Sequence, residues 1–434
     1  MLKDEVSKLL FFKPARGSIM SELIDAEERC FGGEDQKTLE AAVLSVVNRL
    51  ISLSASMGID GNLWQNYIIH FALTDENAYT LSRERAASAE DSFSALAASD
   101  FAILRGLMAY DFETLRPVVK DGVIASVLDF RNGGEPSEYA GNAGKMVLDI
   151  RAVTAKASGD EAFKAAFDEH YRKRGTGDFA FTDAFRIADT DNLKFKPIRA
   201  TEDISFSDMV GYEQQKAEIM RNTEAFIEGR PANNVLLYGD SGAGKSTSVK
   251  ALINEYSGRG LRIIEIHKHQ FKHISEVLGR VKNRNYKFIL FIDDLSFEDF
   301  ETEYKYLKAV IEGDLEIKPS NVLIYATSNR RHLIKEVFAD RADMEHLGDV
   351  HRSDTIEEKT SLSSRFGVQI YYPSPVRQEY HDIVKTLAAK AGIEMDEKEM
   401  LVQADAWDIR HGGVSCRAAR QFVDYLASEK KGDK

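Results

Sequence analysis

Cysteine is nearly absent: the 434 residues include only Cys30 and Cys416. Two thiols cannot build a disulfide framework, which argues against a stapled extracellular scaffold and for a reducing compartment. Proline is scarce as well, at 8 residues, and the 29 glycines follow no collagen repeat, so Pro-rich and collagen-like classes are excluded. No half of the chain is basic. The formal net charge is −13, about −7 before residue 200 and about −6 after it, so global attraction to nucleic acid or anionic membrane is not the driving force. Long apolar runs are also missing. The N-terminus offers only Leu9–Phe12, too short for a signal-peptide core, and no stretch reads as the ~20 apolar residues of a membrane span. A cytoplasmic protein without a membrane partner is expected.

Apolar and aromatic residues, by contrast, are plentiful: 43% of the chain is hydrophobic, with 24 Phe and 16 Tyr. That composition excludes intrinsic disorder. At roughly 150 residues per domain, the length predicts two or three domains.

Up to about residue 195 the pattern is helical. Ala42, Val43, Val46, Val47, Leu50 and Ile51 fall on one face of a helix, and 101–110, 112–128 and 146–167 repeat the pattern. After the polar, basic stretch 191–199 the character changes. Apolar runs at 235–238, 261–266, 287–292, 322–327 and 368–372 alternate with helical segments, which predicts a parallel sheet covered on both faces. Pro373-Ser374-Pro375 closes the last strand, and helices are expected at 376–391, 397–407 and 415–428. The expected domains are therefore 1–198, 199–372 and 373–434.

The sharpest local signal is Gly239-Asp240-Ser241-Gly242-Ala243-Gly244-Lys245-Ser246, with Thr247 following. It stands between an apolar strand and a helical run, the context a phosphate-binding loop requires. Its glycines let backbone N–H groups surround phosphate oxygens at a helix N-terminus. Lys245 is placed for the β- and γ-phosphates and the Ser246 hydroxyl for Mg²⁺. The run Phe288–Ile292 ends in Asp293-Asp294, at the carboxyl end of a strand, where α/β sites lie. There Asp293 suits Mg²⁺ held through water, and Asp294 suits orienting or deprotonating an attacking water. Alone, such a pair would read as a solvated acidic strand end. The look-alike Gly141–Met146 lacks the hydroxyl after its lysine and a preceding apolar strand, and is discounted.

In this order the motifs resemble the AAA+ ATPases. The resemblance implies a P-loop core with a five-stranded parallel sheet, a helical lid, and here an all-α domain in front. It further implies that Val210, Gly211 and Tyr212 cup the adenine, and that Asn329 of Thr327-Ser328-Asn329 is sensor 1, facing the γ-phosphate. Arg365 of Ser364-Arg365-Phe366-Gly367 is similar to an arginine finger, and Arg417 to sensor 2, with Arg420 one turn on as its backup. Arg330 and Arg331 compete with Arg365 for the finger role. The region from about 206 to 426 also resembles the bacterial AAA+ family known as domain of unknown function eight-one-five. The phrases Asn222–Phe226, Asp293–Phe297, Ile324–Leu333 and Arg417–Phe422 carry that resemblance.

The cofactors implied are ATP and Mg²⁺, and the reaction is ATP hydrolysis by in-line attack of water. A finger acting between subunits implies a homo-oligomer, ring or filament, with the N-terminal helical domain engaging a protein client. Nucleic acid is not favoured by the charge. Two roles follow: an ATP-driven remodeller or loader, and a nucleotide-gated switch similar to initiator and helicase-loader ATPases, with little intrinsic turnover. The loop His267–His273 reads as a basic, aromatic-bearing segment rather than a metal site, because no carboxylates stand at matching spacing. The charged stretch 339–359 is expected to be an insertion ahead of the finger segment.

Overall fold

The computed structural model of the chain describes residues 2–85, 91–133, 141–188, 193–198, 204–297, 303–312, 319–330, 333 and 362–430. The insertion expected at 339–359 and the competing Arg331 lie outside the described residues. The chain divides into two compact units: Met1–Thr182 with Pro197–Ala200, and Asp183–Lys196 with Thr201–Lys434.

Among its described residues the first unit is helical, with α1 (Leu2–Val6), α2 (Ile19–Gly32), α3 (Gln36–Met57), α4 (Leu63–Thr74), α5 (Ala78–Arg85), α6 (Ser92–Leu107), α7 (Asp121–Leu128), α8 (Gly141–Ala155) and α9 (Asp160–Arg174). Local chemistry sets the helix starts. Ser18, Asp35, Asn62 and Asp91 each accept a backbone N–H three residues on, satisfying a donor the helix itself cannot. The single helix expected over 146–167 is broken between α8 and α9, where Gly159 takes a fully extended conformation just ahead of α9. The phosphate-loop look-alike at 141–146 is the first turn of α8.

α3 corrects the expectation about apolar length. At 22 residues it is long and apolar enough, by length and composition, to cross a membrane. In the fold, Leu39, Val43, Val46, Val47 and Leu50 form its buried stripe. Val43, Val46, Val47 and Leu50 join one hydrophobic core with Trp64, Ile68, Phe101, Leu104, Phe163 and Phe167.

The second unit is built on a seven-stranded sheet: β1 (Ala184–Ile187), β2 (Phe195–Pro197), β3 (Val235–Gly239), β4 (Leu261–Glu265), β5 (Lys287–Ile292), β6 (Val322–Ser328) and β7 (Val368–Tyr372), in the order β2-β1-β4-β5-β6-β3-β7. All five expected strands form, and they pair in parallel, as does β1 with β4. β1 and β2 are additions that fall within the stretch expected to be helical. Strands of four and three residues are too short for periodicity to reveal. β6 is buried at every position, as a strand covered on both faces should be.

Helices α10 (Glu213–Ile227), α11 (Lys245–Tyr256), α12 (Ile274–Val281) and α13 (Tyr304–Glu312) alternate with the strands. The tail forms α14 (Arg377–Lys390), α15 (Glu397–Arg410) and α16 (Cys416–Lys430). These three helices share a core of their own around Tyr380, Val384, Ala404, Ala419 and Phe422, yet belong to the same compact unit as the sheet.

Candidate functional site

The register aligns the carboxyl ends of three neighbouring strands. Tyr238 of β3 lies opposite Ser328 of β6, and Ile292 of β5 opposite Ala326. The phosphate loop, the acidic pair and Asn329 therefore emerge side by side at one edge of the sheet, where ligand crevices of parallel sheets form.

The loop depends on close backbone approach. Gly239 has φ +139°, and a Cβ there would collide with the Tyr372 carbonyl oxygen on β7. Gly242 lies against the start of the lid, since its Cβ would stand 3.2 Å from both Ser415 Cβ and Arg417 Cβ. The loop thus doubles as the seat for α16.

Lys245, at the N-terminus of α11, is buried. Its ammonium donates to the carbonyls of Gly239 (2.9 Å) and Asp240 (2.6 Å) and to Asn329 Oδ1 (2.9 Å), which engages all three of its protons. Burial pulls its pKa below the ordinary lysine value, against the opposing pull of Asp240, Asp294 and Asp293. Ser246 Oγ donates to Asp293 Oδ1 at 2.5 Å. Thr327 Oγ1 donates to the same oxygen at 2.5 Å and accepts the Asp294 N–H at 2.9 Å. Asp294 sits at φ +51°, a left-handed conformation that Asp tolerates better than most residues. Asn329 Nδ2 donates to Asp294 Oδ1 at 2.9 Å, so one amide joins the lysine to the second carboxylate.

These groups line a cleft of about 540 Å³, within the range of small-ligand sites. Ser241, Gly242, Gly244, Lys245, Ser246, Thr247, Asp293, Asp294, Thr327 and Asn329 form its polar end. Ile204, Met209, Val210, Tyr212, Ile383 and Leu387 add an apolar lining, while Arg417, Arg420, Gln421 and Asp424 of α16 border it. Tyr212, at φ +60°, donates its hydroxyl to the Pro373 carbonyl (2.8 Å) and stacks on Tyr372 at 5.3 Å between ring centroids. Burial pushes the Tyr372 phenol up to about 12, so it stays a neutral donor to Ser248 Oγ (2.9 Å). Ser246 and Asp293 supply only oxygen donors, a set that suits a hard divalent cation such as Mg²⁺.

Of the residues singled out in the sequence, Val210, Tyr212, Ser241, Gly242, Gly244–Thr247, Asp293, Asp294, Asn329, Arg417 and the backup Arg420 meet in this cleft. Gly239 and Asp240 act through their carbonyls, Ala243 is buried within the loop, and Gly211 turns the chain at φ +79°. Arg365 is not among the lining residues. It precedes β7, whose carboxyl end reaches the phosphate loop at Gly239. Five strand residues, ~16 Å, separate the two ends, which places Arg365 towards the opposite edge of the sheet from its own chain's cleft. In the loop 267–273, His267 and His269 stack at the surface while Phe271 is buried against Phe297, so its aromatic ring serves packing.

The sequence motifs assign no role to Thr327, Ile383, Leu387, Gln421 or Asp424, all of which line the cleft. Ile383 and Leu387, one turn apart on an amphipathic helix, look like ordinary core positions. Thr327 stood in a quoted motif, but as the neighbour of the residue that mattered.

Comparison with known proteins assigns the chain to a family. The sequence profile of a family described as "Protein of unknown function (DUF815)" matches residues 180–430. The 26S proteasome regulatory subunit 6B homolog of Schizosaccharomyces pombe is 25% identical over 246 residues, 52% of this chain and 59% of that protein. A proteasome-activating nucleotidase of Methanocella arvoryzae is 27% identical over 172 residues, 38% of each chain. The chain thus spans less than two thirds of the length of these relatives. Among solved structures, the RuvB Holliday junction branch migration motor of Thermotoga maritima superposes with a TM-score of 0.36 at 18% identity, covering 51% of this chain and 63% of that one.

Proposed function

The chain belongs to the DUF815 family and carries a P-loop AAA+ core, and from the geometry of its cleft we propose that it is a Mg²⁺-dependent ATPase that couples nucleotide state to work on a macromolecular partner. One observation carries the reading: Lys245, Ser246, Asp293, Asp294, Asn329 and Arg417 converge on a single cleft that also has an apolar lining. In this reading the loop amides and Lys245 hold the β- and γ-phosphates, and Val210 and Tyr212 hold the base. Ser246 and Asp293 hold Mg²⁺, which would neutralise charge on the phosphoryl oxygens. Asp294 takes the proton of the attacking water while Asn329 fixes its carboxylate. Arg417, on the lid helix seated against Gly242, passes the phosphate state to the lid.

The position of Arg365 supports a finger supplied to a neighbouring copy, and hence a ring or filament. The two proteasome-associated relatives support a protein as the client, engaged by the helical unit. A second reading, a nucleotide-gated switch with slow intrinsic turnover, is favoured by one observation: Lys245 and Asp294 already satisfy each other through Asn329.

The deciding experiment is ATP turnover per subunit against protein concentration, with and without Mg²⁺. The expected result is Mg²⁺-dependent turnover whose specific rate climbs with concentration, and partial recovery of activity when inactive Arg365→Ala and Lys245→Ala proteins are mixed. A flat, slow rate beside tight ATP binding selects the switch. Neither binding nor turnover of ATP overturns both.

A further inference from the structure

Thr327 stands where two carboxylates must be set at once. Its side chain is 1% exposed on β6, the strand between β5, which ends in the acidic pair, and β3, which leads into the phosphate loop. Its hydroxyl is used in both directions, donating to Asp293 Oδ1 and accepting the N–H of Asp294. Because Ser246 donates to that same oxygen, Asp293 Oδ1 carries two hydroxyl protons. Asp293 Oδ2 makes no hydrogen bond among the described residues and is left for the cleft. A carboxylate with one oxygen clamped cannot rotate freely, so the direction of the other is fixed. The second bond works on the backbone. Asp294 holds a left-handed conformation at φ +51°, which is costly for a residue with a Cβ, and the Thr327 hydroxyl offsets that cost by accepting its amide. The Leu295 N–H, bound to the Thr327 carbonyl at 2.7 Å, extends the same clamp by one residue.

We infer that Thr327 is a positioning residue for the metal end of the cleft, setting the direction of Asp293 and the backbone of Asp294 through one hydroxyl. Resting on the ATPase reading above, it assigns the alignment of the two acids to a side chain buried in the cleft wall beside them. Groups that orient a metal-holding residue from behind are worth about 10- to 100-fold in metal affinity or activity when removed. A valine at this position nearly keeps the shape and exchanges the hydroxyl for a methyl, so that Asp293 Oδ1 and the Asp294 N–H each lose this partner.

The test compares wild type, Thr327→Val and Thr327→Ser in the full chain. Mn²⁺ affinity in the presence of a non-hydrolysable ATP analogue is read by electron paramagnetic resonance, affinity for the same analogue in EDTA by calorimetry, and ATP turnover across a Mg²⁺ titration. Thr327→Val is expected to weaken Mn²⁺ binding and lower turnover by about 10-fold or more, to leave metal-free analogue affinity within about twofold, and to shift the Mg²⁺ requirement upward. Thr327→Ser, which keeps the hydroxyl, is expected to restore most of both. Wild-type Mn²⁺ affinity and turnover in Thr327→Val would overturn the assignment and leave the ATPase reading standing. Equal losses in the serine and valine variants would also overturn it, because packing of the methyl group would then be the cause. A wild-type protein that binds neither Mn²⁺ nor the analogue removes the ATPase reading itself, and this assignment with it.

Discussion

Both units bury polar side chains that bond to one another, as Lys164 and Tyr79 meet on Asp168 in the helical unit, but three buried groups of that unit serve the backbone. In the helical unit, buried Asp100 accepts the backbone N–H groups of Leu10, Phe11 and Phe12. Trp64 donates to the Leu107 carbonyl (2.7 Å) and Tyr171 to the Ala72 carbonyl (2.8 Å). Each of these groups closes a local account between a side chain and a nearby backbone, and none opens onto a shared cleft. In the α/β unit the polar groups bond to one another: Lys245 to Asn329, Asn329 to Asp294, and Ser246 and Thr327 to Asp293. They do so at the wall of a cleft. Burial of a polar side chain is therefore no sign of chemistry by itself, since any folded core must satisfy its donors and acceptors. Convergence of such side chains on an open crevice is the sign.

The contrast is open to direct attack, and the largest effect is expected on the packing side. Trp64 is fully buried and lies within 6 Å, centroid to centroid, of Tyr67, Tyr110 and Phe112. Trp64→Ala should destabilise the helical unit by ~3–5 kcal/mol in chemical denaturation while leaving ATP affinity unchanged. A parallel loss of affinity would break the division between the two units. On the site side, Lys245→Ala should cost about 100-fold in ATP affinity by calorimetry, ~2.7 kcal/mol, with a smaller loss of stability than Trp64→Ala. The lysine also bonds Gly239, Asp240 and Asn329, but all three lie at the rim of the cleft. Affinity equal to wild type would mean that the lysine belongs with the packing groups after all.

A further effect is a dependence on pH. Burial pulls His70, stacked on Phe181, down to about 4, so the folded state keeps it neutral while the unfolded chain titrates near 6.5. Below that value the unfolded state takes up a proton that the folded state refuses. The stability due to this group is thus complete above about 6.5 and declines as pH falls towards 4. Melting temperature should drop over that window, and His70→Gln should flatten the drop. Identical slopes in the two proteins would show that other groups govern acid sensitivity.

Much of the α/β unit was legible in the sequence because its signals are local. Five apolar runs alternate with helical segments, and a parallel sheet is the arrangement that buries such strands on both faces. The spacing of Gly239, Gly242, Gly244 and Lys245 encodes a loop shape without help from the rest of the chain. Helix starts at Ser18, Asp35, Asn62 and Asp91 rest on the same kind of short-range bonding. β1 and β2 escaped because so few residues leave no period to read. α3 illustrates the reverse: its length and apolar content alone would permit a span, and packing against α2 and α4 is what buries one stripe of it.

A few consecutive residues each suffice to fix the identity and order of the chemical groups: the phosphate loop, the acidic pair, Asn329, Arg365 and Arg417. Which of them meet depends on the packed fold. Sheet register put Asp293, Thr327 and the phosphate loop on adjacent strand ends, and the seat of α16 on Gly242 brought in Arg417. The same register sent Arg365 towards the far edge, because a strand fixes the distance between what stands before it and what it reaches. Ile383 and Leu387 became cleft walls for the same reason. Which face of a helix a neighbour covers is a property of the packed molecule, and no spacing along the chain records it.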